Sequence, residues 1–212
     1  MRTGTLNNYV KWSKSWGGVR KCYEAKPTIL VGGFGIDLNL MPEYGNAMAA
    51  GTLVYADEQA RTVVPLYTLR VKAVDGTKVT VEKFETGSIA KVGMKLIVVG
   101  DDLTSASANL ATVTAIDNSA ADVDVLTVDN ATGIAANAVL AEATDAKKVK
   151  VIPNGLTYCD NALDKDAYAM DIDVVWNCID KPVLERRMPP LTASLKKALR
   201  DNECYFRFSN RK

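Results

Sequence analysis

The middle of the chain is written twice, and that repetition constrains the fold more than any other feature. Residues 69–100 and 110–143 follow one plan. Val71-x-Ala73-Val74-Asp75 answers Val113-x-Ala115-Ile116-Asp117. Val79-Thr80-Val81 answers Leu126-Thr127-Val128, Gly87 and Ile89 answer Gly133 and Ile134, and Lys95-Leu96 answers Val139-Leu140. Each copy reads as strand, tight turn, strand, loop, strand. Asp75-Gly76 is a hairpin signal because both residue types tolerate positive φ. Val, Thr and Ile dominate the runs, as suits a pleated, half-buried surface. Residues 67–148 are therefore expected to form a small β-sandwich or barrel.

This module interrupts a second unit. Residues 27–66 alternate short apolar runs with Gly and Pro turns. Ile29 to Val31 and Gly51 to Tyr55 read as strands, and Gly32-Gly33-Phe34-Gly35 reads as a turn, since no phosphate-loop ending follows it. After residue 148, Val151-Ile152 reads as a strand ending in a Pro153-Asn154-Gly155 turn, and Ile172 to Ile179 as a buried strand centred on Trp176. Leu191, Leu195, Ala198 and Leu199 share one helical face, with Lys196, Lys197 and Arg200 opposite. Phe206 and Phe208 alternate with Tyr205 and Arg207 in a closing strand. The expectation is a mainly β fold with one C-terminal helix, a β-rich α+β class: a base from 27–66 and 149–212, the inserted module 67–148, and an extended N-terminal arm, 1–26.

The chain of 212 residues has no histidine. That removes Ser-His and Cys-His nucleophile pairs and every His-containing zinc site. Cys22, Cys159, Cys178 and Cys204 form no CxxC pair, so they are expected to be free, buried thiols. Asp160, Asp164 and Asp166 lack the Gly and Glu of a calcium loop. Asp171 and Asp173, at alternate strand positions, are the best carboxylate pair for a hydrolase, but nothing sets them apart from their neighbours. No enzyme activity, cofactor or metal is expected. Nor does any stretch approach the roughly 20 apolar residues of a membrane helix.

Lys plus Arg is 26 and Asp plus Glu 25, a net charge of +1, which argues against a nucleic-acid partner. The balance hides segregation. Residues 1–26 carry six Lys/Arg and one Glu, residues 101–145 eight Asp/Glu and no cation, and residues 181–212 nine Lys/Arg and three Asp/Glu. Two basic ends bracket an acidic middle, a pattern that speaks of partners. In the arm, Tyr9, Trp12 and Trp16 are spaced for one helical face, although Gly17-Gly18 ends the pattern. Interleaved with Lys11, Lys14 and Arg20, these aromatics also suit stacking on nucleic-acid bases; anchoring on a protein neighbour is the stronger expectation.

Taken in order, the pieces resemble the head decoration (capsid cement) proteins of tailed bacteriophages: a polar arm, an Ala50-Gly51-Thr52-Leu53-Val54 step, the VKAVDGTKVTV and VTAIDNSAADVDVLTV units, the Pro153-Asn154-Gly155-Leu156-Thr157 turn, and the run from Met188-Pro189-Pro190 through Leu199 to Phe208. The chain departs from that pattern in the size of its inserted module. The resemblance implies an auxiliary capsid protein made in the host cytoplasm. It would bind the major capsid protein on the outer surface of an icosahedral virion, often as a trimer at threefold or quasi-threefold positions. A head-fibre base or a receptor- or glycan-binding surface module is the alternative. The residues expected to grip the shell are Tyr9, Lys11, Trp12, Lys14, Trp16, Arg20, Arg186 and Arg187.

Overall fold

The computed structural model describes residues 22–29, 33–42, 47–84, 86–162 and 170–210. Five strands come first: β1 (Thr28–Ile29), β2 (Phe34–Ile36), β3 (Ala47–Met48), β4 (Leu53–Asp57) and β5 (Thr62–Leu66). Six span the repeat: β6 (Thr68–Asp75), β7 (Lys78–Glu82), β8 (Lys95–Val98), β9 (Ala111–Asp117), β10 (Val123–Val128) and β11 (Val139–Glu142). Then come β12 (Gly155–Thr157), β13 (Asn161–Ala162), β14 (Met170–Ile172), β15 (Val174–Leu184), helix α1 (Ala193–Asp201) and β16 (Tyr205–Ser209). The fold is mainly β, with α1 the single α-helix among the described residues.

Strands β6 to β11 close a barrel in the order β10-β7-β6-β11-β8-β9. Two interlocked copies of one unit produce that order. Exchanging β6 with β9, β7 with β10 and β8 with β11 maps four of the six pairings onto one another in twos and the β7–β10 and β8–β11 pairings onto themselves. The correspondence reaches single residues. In β6–β7 the register slips between Val71, opposite Val81, and Ala73, opposite Thr80. In β9–β10 it slips between Val113, opposite Val128, and Ala115, opposite Thr127. The Val71 amide donates to the Ala138 carbonyl and the Val113 amide to that of Met94, both at 2.9 Å. Gly93 and Asn137, one residue before these carbonyls, both have positive φ, +83° and +66°, which Gly reaches freely and Asn tolerates. Alternation puts Val71, Val79, Val81, Leu96, Val113, Leu126, Val128 and Leu140 inside.

The base is one rolled sheet, ordered β1-β15-β12-β4-β5-β2-β14, with β16 alongside β15 and a separate β3–β13 pair. Only Asp173 separates β14 from β15 in the chain, yet they lie five steps apart in pairing order, so the sheet curls round on itself. Val151 and Ile152 are not a strand, contrary to expectation; pairing begins at Gly155. Asn154 explains the offset. Its side-chain carbonyl accepts from the Ala56 amide at 2.7 Å and its NH₂ donates to the Ala56 carbonyl at 2.8 Å, so an amide side chain occupies a backbone pairing site. Gly155 then lets β12 approach β15 closely, since a Cβ there would lie 2.5 Å from Val174 Cγ1. Thr192 caps α1, accepting from the Leu195 amide at 3.3 Å. Leu195 and Leu199 are buried beneath the helix.

Strand pairing separates barrel from base, but packing joins them. One buried cluster runs from Phe34, Met41 and Val63 into Leu69, Val71 and Leu96. A second runs from Leu53, Leu66 and Val175 into Ile97, Leu103 and Ala141. The Tyr67 hydroxyl donates to the Leu40 carbonyl, and that of Thr68 to the Pro190 carbonyl, each at 2.8 Å.

Candidate functional site

Of the residues expected to grip a partner, Tyr9, Lys11, Trp12, Lys14, Trp16 and Arg20 lie outside the described residues. Arg186 and Arg187 are exposed on a short 3-10 turn, Glu185–Arg187, that follows β15. The sequence separates these two groups by most of the chain. The fold brings the root of the arm to the turn. Cys22, Tyr23 and Glu24 run antiparallel to the end of β15: the Leu184 amide donates to the Cys22 carbonyl at 2.7 Å, and Tyr23 bridges Val183. The start of the described chain therefore sits two residues from Arg186.

The motifs quoted above build this anchorage. Gly51 has φ +78°, and a Cβ there would lie 2.7 Å from Met188 Cβ and 3.4 Å from Cys22 Sγ. Only glycine fits between those side chains in that conformation. The Tyr23 hydroxyl donates to the Thr157 carbonyl at 2.8 Å, and the Thr157 hydroxyl donates to the Ala49 carbonyl at 2.8 Å. The Ala50-Gly51-Thr52 step and the Gly155-Leu156-Thr157 strand are thus joined under the arm root.

Two concavities flank the turn. Toward the barrel lies a cleft of about 870 Å³, with Arg70, Glu82 and Arg186 among its charged residues and Phe84, Met188 and Pro189 among its apolar ones. Toward α1 and β16 lies a groove of about 430 Å³. The Lys196–Glu185 ion pair, 2.7 Å, contributes to both. Mixed charge over an apolar floor suits a protein surface better than a small molecule.

The acidic middle is less bare than its sequence. Lysines outside residues 101–145 pair with three of its eight acids: Lys83 with Asp124 at 3.0 Å, Lys150 with Glu142 at 2.7 Å, and Lys95 with Asp145. Others shape turns. Hydrogen bonds from the Ser105 and Thr104 hydroxyls and the Thr104 amide hold the Asp102 carboxyl down at about 2, and Ser119 likewise lowers Asp117. Asp160 accepts from the Ala50 amide at 2.7 Å, which makes it a strut of the base; Asp164 and Asp166 lie outside the described residues. Asp171 is exposed on β14 and Asp173 sits at the bend into β15, where its carbonyl accepts from the Tyr158 amide. Among the described residues no group of three or more Cys, Asp or Glu is placed to hold a metal, and no helix is long and apolar enough to cross a membrane.

All four cysteines are free, and Cys22, Cys178 and Cys204 are buried, but Cys159 is exposed, contrary to expectation. Burial pushes the Cys22 thiol up to about 12 and that of Cys204 to about 11. Sequence reasoning also passed over Lys83, whose role depends on partners distant in the chain, and over the nearness of Cys22 to Leu184. Compared with protein-family models, curated proteins and solved structures, the chain matches none.

Proposed function

We propose that this protein is a structural, non-enzymatic virion protein that binds the outer surface of an icosahedral phage capsid and stabilises it. One observation supports this reading most: the root of the basic, aromatic arm and the Arg186–Arg187 turn meet at one end of the base. A grip assembled there would engage the major capsid protein, leaving the acidic barrel surface for solvent. Stabilisation follows from mass action, because a ligand that binds only the assembled lattice favours it, and many contacts per particle add through multivalency.

Sedimentation with full-sized particles from an infected lysate tests the reading; recovery only in the soluble fraction would sink it. Rate measurements on purified shells test the grip. Exposed charge pairs contribute about 0–1 kcal/mol each and are screened by salt. A buried aromatic anchor contributes about 2 kcal/mol and is nearly indifferent to salt. Raising salt should therefore slow attachment more than it speeds release. Trp12→Ala should speed release at every salt concentration, and an unchanged release rate would remove the arm as an anchor.

A further inference from the structure

We infer that the groove between α1 and β16 is a docking site for an extended, acidic peptide segment of a partner protein, which adds to the sheet along β16. This goes beyond the shell-binding proposal and stands on the groove alone. β16 pairs in parallel with β15 and with no other strand among the described residues, so among them its second edge has no strand on its backbone donors and acceptors. An open strand edge is a template for another strand.

Natural edges are blunted by a cover, a proline or a strong twist. This one is instead dressed for a ligand. Phe206 and Phe208 pack with ring centroids 5.7 Å apart and are only half-buried, and Tyr205 and Ile179 are about half exposed, at 49 % and 54 %. Lys196 Nζ lies 5.3 Å from the Phe208 ring centroid. Arg200 and Arg207 are exposed along the same groove and enter no ion pair among the described residues. Three cations against the single Glu185 select an acidic ligand. The backbone edge selects a peptide over a nucleic acid, because only a peptide returns its hydrogen bonds in register. In an added strand, alternate side chains would face the rings and the cations in turn.

The test uses the full chain and a fluorescent octapeptide of alternating valine and glutamate, read by anisotropy. Saturable binding is expected. It should weaken roughly tenfold in the Arg200→Glu, Arg207→Glu double variant, as expected for two exposed charges reversed. A peptide of alternating valine and lysine should not bind. A valine–glutamate peptide N-methylated at every residue keeps the charge but lacks every backbone N–H group, and should bind at least about tenfold more weakly if the ligand joins the sheet. That comparison needs no variant, so it stands even if the double variant misfolds. Equal binding of the N-methylated and unmodified peptides overturns strand addition. Displacement of the peptide by a single-stranded oligonucleotide that binds more tightly overturns the choice of a peptide. Concentration-dependent self-association that the double variant abolishes overturns the choice of a separate partner.

Discussion

Lys83 shows how much structural work one cation does in a segment that reads as acidic. Its ammonium lies 3.0 Å from the Asp124 carboxylate, which is 1 % exposed, and donates to the Asn118 and Ala120 carbonyls at 2.6 and 2.7 Å. It compensates a buried charge and pins the β9–β10 turn together. Lys83→Ala leaves Asp124 unpaired, and urea unfolding should show a loss of about 3 kcal/mol; a loss below about 1 kcal/mol would mean that the pair is dispensable. Gly155→Ala should cost about 1–3 kcal/mol by overpacking against Val174, read in the same assay, and a neutral result would show that β12 and β15 separate easily. The thiols give a chemical check. A mild alkylating reagent at neutral pH should label Cys159 alone in the native protein, and slowly. Partial desolvation at its otherwise exposed position and the neighbouring carboxylates Asp173 and Asp160 raise its pKa and keep it protonated, so the rate should climb with pH. Labelling of Cys22 or Cys204 without denaturant would contradict their burial.

At the scale of elements, the barrel is two interlocked halves. Each copy's third strand pairs with the first and third strands of the other copy, so neither half completes its sheet alone. Leu96 and Leu140 occupy equivalent places, both buried, one opposite Ala111 and the other opposite Leu69. Leu96→Ala and Leu140→Ala should therefore each cost about 2–5 kcal/mol, and a large inequality in thermal unfolding would show that the pseudo-twofold symmetry is not energetic. The sequence made visible what local chemistry controls: the Asp75-Gly76 hairpin, the matched repeats, the amphipathic α1 and the alternation of β16. It did not show what distant partners decide. Strand exchange between the copies leaves no local mark. The irregular register of β15 against β16 between Cys178 and Val183 is equally silent, and the Asn154 bonds that displace β12 need Ala56 from another strand. Of the site, Arg186 and Arg187 were legible as charge, whereas their nearness to Cys22 depends on how the sheet rolls.

At the scale of the molecule, strand pairing and packing draw different boundaries. Both buried clusters cross from base to barrel, so chemical unfolding of the full chain should be one cooperative transition by all probes, and two separated transitions would show that the junction contributes little. The arm root and the Arg186–Arg187 turn share one end of the base, while the exposed barrel hairpin 75–78 lies at the opposite end of β6 from Thr68, whose hydroxyl donates to the Pro190 carbonyl. Shell binding through the arm root and the Arg186–Arg187 turn requires that this end, and not the 75–78 hairpin, faces the shell. Backbone hydrogen exchange, compared between the free protein and the protein bound to purified shells, tests that orientation directly. Slowed exchange is expected at residues 22–24 and 182–187, with residues 75–78 unchanged. Protection of the 75–78 hairpin, with 182–187 exchanging as in the free protein, would contradict that orientation.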